Sequence, residues 1–196
     1  MMNRLTPIRA KAIVEFIPDD ARTASGLYIA ENIKQIPHRG KLIALGLPEV
    51  TPEGKEISLK ISLNSIIHFK RQWQENKNIE GKQYLLIKQS DIICYEKDFE
   101  YEVTLQAIRD EAIVKRVYTG KIGNSSLILA DVGGFRQNDE DFYGEVISTG
   151  PEEAYGIAKG ERLLYQRNEG LKVSLPFDRN EYFSIKPRAM LAVLND

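Results

Sequence analysis

The chain carries one motif twice, and that repetition constrains its fold more than any other feature. Ala12-Ile13-Val14-Glu15, a polar loop carrying Leu27-Tyr28-Ile29, and Gly40-Lys41-Leu42-Ile43-Ala44-Leu45-Gly46 come first. About 100 residues later they recur as Ala112-Ile113-Val114-Lys115, Leu127-Ile128-Leu129 and Gly144-Glu145-Val146-Ile147-Ser148-Thr149-Gly150. A period near half of the 196 residues points to two similar units rather than one large domain. The expected division is 1–97 and 98–196, each half long enough to bury a small core of its own.

The hydrophobic pattern within each unit is that of strands. Ile8, Ala10, Ala12, Val14 and Phe16 share a period-2 face, and Ile57, Leu59, Ile61 and Leu63 alternate with Ser58, Lys60 and Ser62, which predicts two half-buried strands. Further short strands are expected at Gly40–Gly46, Ile66–Phe69, Tyr84–Ile87 and Ile92–Tyr95, with counterparts at Ile113–Val117 and Glu145–Ser148. Residues 96–104 contain no Gly, Pro or Ser, so they are expected to join the halves as an ordered strand. No segment has the apolar stripe of a long helix, and the fold class is all-β. The stretch Leu47 to Glu56, with two prolines and a glycine, reads as an extended hairpin or flap. The second unit keeps only Pro151 to Gly160 there and has no room for it. Two polar loops, 18–39 and 119–143, are longer than compact domains ordinarily need, and loops of that length are usually functional or mobile.

Charge and composition narrow the function. Twenty-seven basic residues nearly balance twenty-eight acidic ones without long runs, which argues against nucleic acid and anionic membranes as partners. The lone Cys94 lies in the apolar run Ile92-Ile93-Cys94-Tyr95 and reads as a buried strand residue; a cytoplasmic setting is expected, with neither a leader nor a spanning segment. His38 and His68 have no Cys or His at ligand spacing and are expected at the surface or on edge strands, so no metal is expected. The acidic clusters Asp139-Glu140-Asp141 and Glu152-Glu153 lack calcium-ligand spacing and read as solvated turns. No Gly-x-Ser-x-Gly elbow and no Gly-x-Gly-x-x-Gly turn occurs, and the aromatics lack basic interleaving. No catalytic residue, cofactor or enzymatic activity is expected.

The order of these elements resembles the chaperonin 10, or GroES-like, co-chaperonins. The resemblance rests on Asp110 before Ile113-Val114-Lys115-Arg116, on Ser25-Gly26-Leu27-Tyr28-Ile29, on Arg39-Gly40-Lys41-Leu42-Ile43-Ala44-Leu45-Gly46, and on Ser90-Asp91-Ile92-Ile93. It implies two tandem irregular β-barrels, a homo-oligomer, and a GroEL-type chaperonin as partner. Carried over by position, Leu27, Tyr28, Ile29, Leu127, Ile128 and Leu129 would be the chaperonin-binding residues and the flap would form part of a roof. Several weak, loop-borne sites acting together give high avidity while each still releases readily. Two features depart from the family pattern: the second unit has lost its flap, and Tyr28 stands where an aliphatic residue is usual. Chains of two barrels also give even barrel counts, which do not match a seven-barrel ring. The alternative expectation is an adaptor that reuses the barrels for self-assembly or for another partner.

Overall fold

The computed structural model describes residues 6–17, 38–70, 75–79, 81–99, 102–117, 141–152, 155–166, 169–175, 178 and 180–194. The first unit contains β1 (Lys11–Ile17), β2 (His38–Leu45), β3 (Glu49–Val50), β4 (Glu56–Ile57), β5 (Ile66–Phe69), β6 (Glu75–Ile79), β7 (Lys82–Lys88) and β8 (Ile92–Phe99). After β9 (Glu102–Ala107), the second contains β10 (Ala112–Arg116), β11 (Asp141–Thr149), β12 (Arg162–Gln166), β13 (Leu171–Val173), β14 (Tyr182–Ile185) and β15 (Met190–Leu194). One sheet runs β6-β7-β1-β2-β5-β8-β9 and the other β13-β14-β10-β11-β12-β15, so strand order is the same in both once β9 is set aside. These are two irregular β-barrels in tandem, each wrapped round its own core.

The repetition extends to irregularities. Each first strand carries a bulge at the same place, Ile13/Val14 and Ile113/Val114, which bends it and tightens its twist. Arg9 and Arg109 both adopt positive φ, 63° and 59°, just before those strands. Gly46 and Gly150 lie against these turns: a Cβ on either would collide with the carbonyl oxygen of Arg9 or Arg109, so only glycine fits. Val14, Leu42, Ile67 and Phe69 fill the first core, and Val114, Val146, Leu163 and Tyr165 occupy the equivalent places in the second.

Several expected strands differ. The alternation expected from Ile57 to Leu63 holds in burial only in part: Leu59 and Ile61 are inside while Ser58, Lys60 and Ser62 are exposed, but Leu63 is exposed too, and only Ile57 belongs to a strand. The segment is extended without a ladder partner and closes over the core, so its period reports packing and not pairing. Ala12 and Val14 face the core as expected, but Ile8 and Phe16 are exposed and Ile13 packs on the opposite face. Polar β6 was illegible because its residues are nearly all exposed; its ladder to β7 and the turn at Gly81, with φ of 79°, hold it. The described residues of the joining segment belong to two antiparallel strands, β8 and β9, and not to one. The flap is a hairpin, β3–β4, and among the described residues 150–161 no strand pair replaces it in the second unit.

A third apolar cluster lies between the units. Ile93 and Cys94 of β8 and Leu105 and Ala107 of β9 pack on Ile113, Val173, Leu175 and Tyr182 of the second barrel. The Ser148 hydroxyl joins β11 to β9, accepting from Ala107 N at 2.8 Å and donating to Leu105 O at 2.9 Å. Arg109 donates to the Ile92 carbonyl at 3.0 Å and to that of Gln89. The barrels therefore meet through an apolar core whose Ser148 and Arg109 side chains are hydrogen-bonded.

Candidate functional site

The six expected contact residues, Leu27, Tyr28, Ile29, Leu127, Ile128 and Leu129, lie outside the described residues, as does Trp73. What surrounds them in sequence is described. Residues 18–37 connect β1 to β2, whose last facing pair is Ile17 and Arg39. Residues 117–140 connect β10 to β11, where Arg116 faces Gly144. Because Gly144 is the counterpart of Gly40, both loops leave their barrels at the same end of equivalent hairpins.

The start of β2, which follows the first loop in sequence, carries part of a polar cluster. Arg39 grips Glu96 with a two-pronged contact, Nε to Oε1 at 2.6 Å and Nη2 to Oε2 at 2.8 Å, and His68 Nε2 stands 2.9 Å from the same Oε1. Burial pushes the Glu96 carboxyl up, but the hydrogen bonds and charges of Arg39 and His68 outweigh it and bring its pKa down to about 2. Beside this cluster His38 meets Phe16 edge to face, centroids 5.2 Å apart, and leans on Phe69. The expectation of surface or edge-strand histidines thus fails for His68. It is 2% exposed and belongs to β5, a central strand between β2 and β8. Its polar ring is tolerated there because Glu96 faces it.

At the second loop the equivalent register positions are Tyr143, Leu164 and Leu194. Charge appears instead on the outgoing strand: Arg116 Nη1 reaches Glu181 Oε2 at 3.3 Å, Lys172 binds Oε1 of the same carboxylate, and all three are partly exposed. The Arg39–His68–Glu96 set could not be found from periodicity, since its members come from three strands; the only trace was charged residues set into otherwise apolar runs. Glu152, expected as a solvated turn residue, lies 3.1 Å from Lys55 in the exposed segment between β3 and β4. Among the described residues no group of three His, Cys, Asp or Glu side chains is placed to hold a metal ion. No helix among them is long and apolar enough to cross a membrane. Cys94 is fully buried as expected, and burial, with Glu111 and Glu96 nearby, pushes its thiol pKa up, which leaves it a packing residue.

Comparison with known proteins finds one family twice along the chain. The family model for the chaperonin 10 Kd subunit matches residues 4–95 and again 104–194. A co-chaperonin GroES from an Exiguobacterium species is 30% identical over 90 residues, which is 96% of that protein and 46% of this chain. GroES proteins from Bacillus pumilus and Lacticaseibacillus zeae are each 30% identical over 90 residues, covering 96% and 97% of their lengths and 46% of this chain. Each relative is thus similar to one unit's worth of the chain.

Proposed function

We infer the function from one premise: this chain belongs to the chaperonin 10 family, and it carries that family's unit twice. It acts as a co-chaperonin, without catalysis, that binds a GroEL-type chaperonin and serves as a lid during protein folding. The contacts are Leu27, Tyr28 and Ile29 in one loop and Leu127, Ile128 and Leu129 in the other, and the working form is a homo-oligomer. The observation that carries this reading is that both loops leave equivalent hairpin ends of equivalent barrels, so two docking segments share one frame. The β3–β4 hairpin, with Leu47 and Val50 exposed, supplies roof structure from the first unit of each chain. Residues 1–97 and 98–196 are the two working modules.

Capture of the chain by GroEL with and without nucleotide tests this. Leu127→Ser and Leu27→Ser each weaken capture, and together they abolish it, if the loops dock. Undiminished capture by the double variant rules out loop docking, and no capture of the parent chain under any nucleotide condition favours an adaptor role.

A further inference from the structure

β2 begins at His38, directly after residues 18–37, so His38 and Arg39 are where the end of the first loop joins the barrel. Strand ends open before strand centres, and a segment that docks on a partner pulls on such an end. Successive residues of a strand point to opposite faces, and here both faces are held. On one, His38 lies against Phe16 and Phe69, with ring centroids 5.2 and 5.7 Å away. On the other, the Arg39 guanidinium closes on Glu96 with both prongs, at 2.6 and 2.8 Å, and His68 completes the set at 2.9 Å.

Two parallel contacts fix the direction of the arginine as well as its distance, which a lysine at the same place would not do. The side chains of His68 and Glu96 are buried, so salt and water screen the tie little. Glu96 is itself well seated: it faces Leu105 across the β8–β9 ladder, and the Leu105 carbonyl accepts from Ser148 of the second barrel at 2.9 Å. The end of the first loop is thereby tied to the strands through which the two barrels meet.

The barrel does not need this cluster in order to close. In the second unit the equivalent register positions belong to Tyr143, Leu164 and Leu194, none of them charged, on the same strand order. There the described β11–β12 ladder starts one pair further out, with Asp141 facing Gln166, whereas the β2–β5 ladder starts with His38 facing Phe69. A buried ion pair adds little net stability over well-packed apolar residues; what it adds is a fixed arrangement.

We propose that Arg39, gripped by Glu96, is a positioning residue for the first docking loop: it fixes the point at which that loop re-enters its barrel. The proposal rests on loop docking as inferred above and names the device that sets one loop apart from the other. A loop with a preset end has less to order when it docks, so loss of the fork weakens docking through the first loop alone.

Arg39→Tyr, His68→Leu and Glu96→Leu together give the first barrel the residue types of the second at these positions and leave no buried charge uncompensated, so this variant should fold. Its capture by GroEL is measured in two backgrounds. With Leu127→Ser, where capture runs through the first loop, the triple change should weaken apparent affinity roughly fivefold or more. With Leu27→Ser, where capture runs through the second loop, affinity should be unchanged. Arg39→Lys keeps a charge beside Glu96 but loses the fork; it should also weaken capture through the first loop, and it carries the test if the triple variant does not fold. Undiminished capture through the first loop by either folded variant, or equal weakening through both loops, overturns the proposal and leaves loop docking standing. No capture of the parent chain overturns loop docking and this proposal with it.

Discussion

The two barrels place different chemistry on one skeleton. Where β2, β5 and β8 run together, the first holds Arg39, His68 and Glu96 in a buried cluster; by register the second has Tyr143, Leu164 and Leu194. Conversely, the first barrel has Lys11 and Leu86 where the second has a buried hydrogen bond from the Ser184 hydroxyl to Glu111, at 2.6 Å. The first barrel thus holds a buried ionic cluster near its loop, whereas the second places a buried carboxylate–hydroxyl hydrogen bond between Glu111, just before β10, and Ser184 of β14. Strand order and bulges survive the exchange because backbone pairing, not these side chains, defines the barrel.

That contrast can be broken most severely at Glu96. Glu96→Ala leaves Arg39 and His68 facing an apolar gap, and the first barrel should lose about 4 kcal/mol, read by chemical denaturation. Leu164→Ala, at the position that His68 takes in the first barrel, leaves no charge uncompensated and should cost distinctly less. Acid titration sharpens the same point. The folded Glu96 pKa of about 2 lies below the ordinary value of 4.5, so its stabilising contribution is complete above that ordinary value and is lost as pH falls towards 2. The loss should reach about 3 kcal/mol in the parent chain and be absent from Glu96→Gln, so the two denaturation midpoints converge on acidification. What the barrels share is tested by Gly46→Ala and Gly150→Ala. Each drives a methyl into a carbonyl oxygen, and each should cost roughly 2 kcal/mol, with similar values if the turns are equivalent. The smallest effect is expected at Glu181, whose partners Arg116 and Lys172 are partly exposed: Glu181→Gln should shift stability by less than about 1 kcal/mol, and salt should erase the difference.

Much of the frame was legible. Glycines at 40, 46, 144 and 150 and the apolar runs between them marked β2 and β11, and Cys94 read as buried. The polar β6 was not legible, since hydrophobic period is the signal and a strand exposed along its length has none. His68 misled for the opposite reason: a lone histidine looks like surface until a carboxylate from another strand is seen beside it. The six loop residues of the candidate site were read from the family resemblance alone, and they lie outside the described residues.

By itself the sequence determined that the chain is all-β and that it is built twice on one plan, which follow from local pattern and repetition. The resemblance to chaperonin 10 rested on the order of the motifs, and the family-model match bears it out. Tertiary structure alone decided that Leu59 and Ile61 close a core without forming a strand. It also decided that Glu96 is held ionised by partners on two other strands, and that Ile8 and Ile108, alike in sequence position, meet opposite environments. The reason is physical: periodicity states which side of a strand is apolar, whereas burial and charge depend on what stands opposite, and that is set by pairings between distant parts of the chain.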